Sequence, residues 1–209
     1  MDPVTRIRAV ARTWGSTAQE QQLEFACDCY VAEPHDALYR AVTVKAPAAL
    51  LFRWLCQLRS APYSYDWIDN LGRQSPRSLT PGLDRLQVGQ RIMTFFQVAQ
   101  FEPDSHITAV LDRPNALFGD LAITYLIVPE ADERCRLIVK VAVAYPRTSI
   151  GAAMRGLLPA GDLVMMRKQL LTLRKLAQRD AANRGSTLEP PAARPADPSN
   201  PENSRSNDP

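Results

Sequence analysis

From Arg91 to Tyr145 apolar side chains recur at every second residue, broken at short intervals by turn-forming clusters. Met93, Phe95, Gln97, Ala99 and Phe101 fall on one side of an extended chain, and Thr94, Phe96, Val98 and Gln100 on the other. Glu102-Pro103-Asp104-Ser105 and Asp112-Arg113-Pro114-Asn115 are turns, and residues 129–134 form a polar connection of hairpin length. Strands are expected between them, from His106 to Leu111, Leu121 to Val128, and around Leu137 to Tyr145. In the last, Leu137, Val139, Val141, Val143 and Tyr145 make one continuous apolar face, with Arg136 and Lys140 on the other. Strands joined by such short turns pair antiparallel.

The period then changes. Pro146 to Gly161, with Gly151, Gly156 and Pro159, reads as irregular, and Asp162 reads as the N-cap of a helix. Leu163, Met166, Leu170, Leu173 and Ala177 follow at helical spacing, with Arg167, Lys168, Arg174 and Lys175 off that stripe. The bases expected in the last turn suit the negative end of the helix dipole. One long helix after a run of strands must bury its stripe against the sheet. A strongly twisted sheet around a single helix leaves space between them. Met154, Met165 and Met166 cluster in or beside this helix and suit an adaptable apolar lining. From Ala181 onward the chain has almost no large apolar residue and is expected to be a disordered Pro-rich tail over 181–209.

Upstream, Ile7, Val10, Ala11 and Trp14 line one face of a short amphipathic helix, and Trp14-Gly15-Ser16 breaks it. Ser16 or Thr17 is positioned to cap a further short turn with Glu20 in it. Residues 26–36 read as loop, Leu38 to Val44 as a β-branched strand, and Leu50, Leu51, Trp54, Leu55 and Leu58 as a helix entered through Pro47 and ended before Pro62. After it, Tyr63-Ser64-Tyr65-Asp66-Trp67-Ile68-Asp69-Asn70 packs three rings and two carboxylates into a helix–loop boundary. Such a concentration suits a pocket mouth better than a plain turn. Tyr63, Tyr65 and Trp67 alternate, so an extended backbone would put them on one side. Gln74 to Gly89 reads as an ordered loop.

Bulk properties narrow the function classes. The 209 residues are 45% hydrophobic, enough for a core without disulfides or metal, and fit one domain plus tails. A net charge of +3 is too mild for a nucleic-acid binder. Cys27, Cys29, Cys56 and Cys135 lack zinc spacing and read as reduced, partly buried thiols. No apolar run has the length of a membrane span, and the N-terminus lacks a signal-peptide core, so the expectation is a cytoplasmic protein without cofactor or metal.

Four segments resemble the helix-grip (Bet v 1-like, START-related) superfamily, in its bacterial branch often described as polyketide cyclase/dehydrase and lipid transport proteins. They are Trp14-Gly15-Ser16-Thr17-Ala18-Gln19-Glu20; Ala41 to Pro47 with Phe52-Arg53-Trp54-Leu55; Tyr63 to Asn70; and Met166-Arg167-Lys168-Gln169-Leu170. The chain departs from the branch pattern at Arg59-Ser60-Ala61-Pro62 and at Glu24-Phe25-Ala26-Cys27-Asp28. The resemblance implies an α+β helix-grip fold, with a curved antiparallel sheet wrapped around a long C-terminal helix and an internal cavity. It divides the chain into an N-terminal helix (1–13), the domain (14–180) and the tail (181–209). The superfamily includes both carriers and cyclases; the apolar sheet face, the Met-rich closing helix and the aromatic loop favour binding of a hydrophobic or aromatic, lipid- or polyketide-like molecule in the cavity, with no covalent step. The alternative is a cyclase or aromatase. That chemistry needs an acid or base near a carbonyl in a dry pocket, for which the candidates are His106 and Asp66. Expected ligand contacts are Tyr63, Tyr65, Trp67, Phe95, Tyr125, Val141, Tyr145, Met166 and Leu170.

Overall fold

A computed structural model of the chain describes residues 9–65, 67, 72–112, 119–131 and 133–188. The expected N-terminal helix is helical at 9–13, and residues 1–8 lie outside the described part. Two 3-10 turns, Glu20–Gln22 and Ala26–Cys29, precede β1 (Asp36–Val44). Helix α1 (Ala48–Cys56) follows and tightens into a 3-10 turn at Gln57–Arg59. Then come β2 (Arg91–Ile92), β3 (Phe96–Glu102), β4 (His106–Leu111), β5 (Asp120–Glu130), β6 (Arg134–Ala144) and α2 (Ser149–Leu188).

Among the described residues the strands form one sheet in the order β1-β6-β5-β4-β3-β2, with every neighbouring pair antiparallel. Alternation assigns its two faces. Leu38 and Val42 of β1, Ile123 and Tyr125 of β5, and Val139, Val141 and Val143 of β6 pack with α1 and with Met166, Leu170 and Leu173 of α2 in the main core. Ala41, Ala122, Ile138 and Ala142 point the other way and meet Phe25, Cys27 and Val31. A curved antiparallel sheet holding one long helix is the α+β helix-grip arrangement.

Arg136 and Lys140 sit on the second face, as expected, and each has a task there. Arg136 donates to both carboxylate oxygens of Glu20, and Lys140 donates to Asp28 at 2.7 Å. These pairs pin the two 3-10 turns onto the sheet. The Thr17 amide donates to Glu20 at 2.7 Å while the Glu20 amide donates to the Thr17 hydroxyl at 3.2 Å, a reciprocal cap. Gly15, at φ +76°, lies so close to β1 that a Cβ there would stand 2.1 Å from the Ala41 carbonyl oxygen. That contact explains why the turn after Trp14 carries no side chain.

Three local expectations need correction. Arg91 to Phe101 is a hairpin rather than one strand: Met93 and Thr94 turn in the left-handed region (φ 49° and 65°), and β2 pairs back onto β3. A register shift between Val98 and Gln100 then changes which residues face the core, so Phe96 and Val98 share the main core with Phe101. Next, α2 begins at Ser149 instead of Asp162, and it carries Pro159 inside. Thr148 caps it, its hydroxyl accepting from the Gly151 amide at 3.2 Å. Gly151 is required because a Cβ would meet the Pro146 carbonyl oxygen at 1.9 Å. Last, α2 continues to Leu188, beyond the expected start of the tail; residues 189–209 lie outside the described part.

Arg40 explains how the early part of α2 is held. This fully buried side chain of β1 approaches Asp162 at 2.7 Å and donates to the carbonyls of Tyr39, Ala11 and Pro159. Burial raises the Asp162 carboxyl to about 6, although Arg40 pulls it down. Among the described residues, no helix is long and apolar enough to cross a membrane.

Candidate functional site

The first turn after α1 builds one wall of a cleft. Pro62 ends the helical path, and Tyr63 enters the left-handed region at φ 57°. A bulky residue there is strained, and such strain persists where packing over-determines it. Tyr63 is buried edge-on against Trp54, with ring centroids 6.1 Å apart at 88°. Tyr65 and Trp67 continue the wall outward, Trp67 with 75% of its surface exposed. Ser64, Ser75 and Arg77 complete it.

Helix α2 supplies the opposite wall with Arg167, Lys168, Leu171, Thr172 and Lys175. At 3.6 residues per turn these positions lie opposite the stripe of Met166, Leu170, Leu173 and Ala177 that packs on the sheet. The cleft is half-open to solvent, and its volume is about 670 Å³, within the usual range of small-molecule sites. Two contacts tie the walls together. Arg179 donates to the Arg77 carbonyl at 2.7 Å, and the Gln169 amide donates to the Pro62 carbonyl at 2.7 Å.

The expected ligand contacts separate into three groups. Tyr63, Tyr65 and Trp67 line the cleft, at different depths rather than on one flat side. Tyr125, Val141, Met166 and Leu170 are core side chains between sheet and helix. Tyr125 is fully buried, and its hydroxyl donates to Gln169 at 2.7 Å and lies 3.1 Å from the Met93 sulfur. Burial drives its phenol far above the ordinary value. Tyr145 is also buried but toward the start of α2, with Arg155 over its ring at 5.6 Å and Asp36 accepting from its hydroxyl at 3.4 Å. Burial, with Asp36 beside it, pushes that phenol up to about 12. Phe95 is neither core nor cleft: it sits 67% exposed in the β2–β3 turn.

Of the acid–base candidates, only His106 lies among the described residues. His106 opens β4 and shares its face with Thr108, which bonds Thr124 at 2.8 Å on the side away from α2. Its ring contacts Ser105, Gln100 and Glu102 there. It is thus on the wrong side of the sheet to serve the cleft. Asp66 lies outside the described residues, as do Asp69 and Asn70. Three cysteines are buried thiols: burial pushes Cys27 and Cys135 up to about 11 and Cys56 up to about 12. Cys29 is exposed, which departs from the expectation. No group of His, Cys, Asp or Glu among the described residues is placed to hold a metal ion.

Sequence reasoning found the aromatic wall and missed the basic one. The signal was present: Lys168, Leu171, Thr172 and Lys175 repeat at i, i+3, i+4, i+7, which is a second helical face. Gln169, buried between the core and the loop, lies in one of the four resembling segments but is not among the expected site residues.

No family model matches the chain, and no curated protein matches it. Solved structures with a similar course of chain include a protein from Thermus thermophilus at 14% identity and TM-score 0.47, spanning 69% of this chain and 99% of that one. A protein from Thermobifida fusca is similar at 11% identity and TM-score 0.45, over 67% and 94% of the two chains. The Zhui aromatase/cyclase from a Streptomyces species is similar at 15% identity and TM-score 0.41, over 71% and 94%.

Proposed function

We propose that the protein binds a planar, largely apolar small molecule in the cleft between the Tyr63–Arg77 loop and α2, without a covalent step. The observation that carries this reading is the cleft itself: about 670 Å³, with Tyr65 and Trp67 presented on a strained, braced loop opposite a helix face. The exposed Trp67 indole, beside Tyr65 in the same lining, offers a ring face, and aromatic rings gain most from flat partners. A cyclase reading finds no support in His106, which faces away from the cleft.

The test is a fluorescence titration with the neutral probe phenyl-naphthylamine. Saturable binding that weakens several-fold in Trp67→Ala and in Tyr65→Ala is expected. No saturable binding, or binding indifferent to both substitutions, contradicts the proposal.

A further inference from the structure

The cleft has a charge as well as a shape. From Leu163 to Arg179 the helix carries five bases, Arg167, Lys168, Arg174, Lys175 and Arg179, and no acid. The positions where a helix would place a neutralising carboxylate are taken by other residues: Val164 and Thr172 flank Lys168 at four residues, and Leu171 and Arg179 flank Lys175. Three of these bases, Arg167, Lys168 and Lys175, face the cleft, and Arg77 joins them from the loop.

None of the four makes an ion pair among the described residues, whereas Arg12, Arg40, Arg136, Lys140 and Arg179 do. Two are held in place by other means. The Arg167 guanidinium stands over the Trp14 ring at 5.6 Å, and the Arg77 main chain is fixed by Arg179. The Ser64, Ser75 and Thr172 side chains add hydroxyls to the same lining, and no described carboxylate lines it. The described charges around this concave surface are of one sign, and such a set raises the local potential and attracts a counter-ion.

We infer that the ligand is an anion: a planar aromatic body bearing a sulfonate-, carboxylate- or phosphate-type group. Its ring lies along Tyr65 and Trp67, and its acid group meets Lys168 and Lys175, with Arg167 and Arg77 at the margins. The lysines are point charges that tolerate any of these acid groups, and the arginines favour planar two-oxygen ones. This rests on the binding reading above and specifies its chemistry.

The experiment uses two probes with the same ring system, anionic anilinonaphthalene sulfonate and neutral phenyl-naphthylamine, on the full chain. The sulfonate is expected to bind about tenfold more tightly, and Lys168→Gln/Lys175→Gln to remove most of that advantage while leaving the neutral probe unchanged. Arg53→Gln/Arg85→Gln, exposed positions outside the cleft lining, removes the same net charge and should change neither. Raising salt from roughly 0.01 M to roughly 1 M shortens the screening length from about 30 Å to about 3 Å and should weaken the sulfonate alone. Competition then ranks the acid groups: naphthoate or naphthyl phosphate should displace the sulfonate well below the concentration of neutral naphthalene methanol.

Equal affinity of the two probes, both lost in Trp67→Ala and both insensitive to salt and to the lysine substitutions, overturns the anionic inference and leaves the aromatic site standing. Failure of either probe to respond to Trp67→Ala overturns the site itself.

Discussion

The Tyr125 hydroxyl donates to the Gln169 side-chain carbonyl at 2.7 Å, and the Gln169 amide group donates in turn to the Pro62 carbonyl at 2.7 Å. One buried glutamine therefore links the centre of the sheet, the long helix and the first residue of the aromatic loop. Met93 closes the same cluster, its sulfur 3.4 Å from the Gln169 nitrogen. The wall that carries Tyr63, Tyr65 and Trp67 is positioned from inside the core.

Replacing Gln169 with Leu keeps the volume and removes both bonds. The Pro62 carbonyl loses its partner and the Tyr125 hydroxyl keeps only weak sulfur acceptors, which should cost roughly 1–3 kcal/mol in urea unfolding. Tyr125→Phe should cost a similar amount, and the double variant less than the sum, since both act on one network. Amide exchange over 61–65 should accelerate in Gln169→Leu while α1 stays protected. Additive losses with unchanged exchange would show that the network does not hold the loop.

Asp162 lies against Arg40 under the early part of α2, and its folded-state carboxyl is raised from 3.8 to about 6. A raised acid binds its proton more readily when folded, so folding stability falls as pH rises through that window. The sign is opposite to that of a stabilising carboxylate. Asp162→Asn should therefore abolish a decline on the order of 2–3 kcal/mol between pH 3.8 and about 6. Denaturant midpoints across this range in both proteins check it; parallel profiles would contradict it.

Glu20 works the other way. Burial acts to raise its carboxyl, but the hydrogen bonds from Arg136 and the Thr17 amide outweigh burial and hold it below its ordinary value of 4.5. The stability it contributes is complete above that value and is lost as pH falls through the lower folded value. Glu20→Gln should cost roughly 1–2 kcal/mol at neutral pH and flatten the acid limb of the stability profile. An acid limb identical to that of the parent chain would mean that other carboxylates set it.

Gly15→Ala should destabilise by more than about 2 kcal/mol, because the new methyl combines a left-handed backbone with a clash against β1. Gly82→Ala shares the positive φ but has open space around it, so it should cost less. Thermal melts of the two variants separate backbone strain from close contact. Equal losses would assign the effect of Gly15 to strain alone.

The legible parts of this chain are those where one face is buried and the other is wet. β6 shows it best: Leu137 to Val143 alternate with Arg136 and Lys140, and each set goes where alternation sends it. His106 shows the limit. The sheet is packed on both sides at β4, with Ile107 in one cluster and Val110 against the other, so alternation alone could not say which side holds the helix. The β2–β3 turn was hidden because Met93 and Thr94 adopt a conformation that usually announces itself with Gly or Asn. The start of α2 was hidden because Gly151, Gly156 and Pro159 read as breakers, while Thr148 and Arg40 hold the helix from outside its own sequence. The aromatic half of the cleft was legible from composition. The basic half read as an ordinary solvent face, because only the fold brings Arg77 to Lys168 and Lys175.

The most direct test of the cleft is a two-dimensional amide and indole NMR titration of the full chain with anilinonaphthalene sulfonate. Of the three tryptophan indoles, that of Trp67 should shift most, together with amides from 167 to 175, while His106 and the β4 amides on the opposite face stay in place. Shifts centred on Val141, Tyr145 or His106, with Trp67 unmoved, would put the ligand elsewhere and contradict the account.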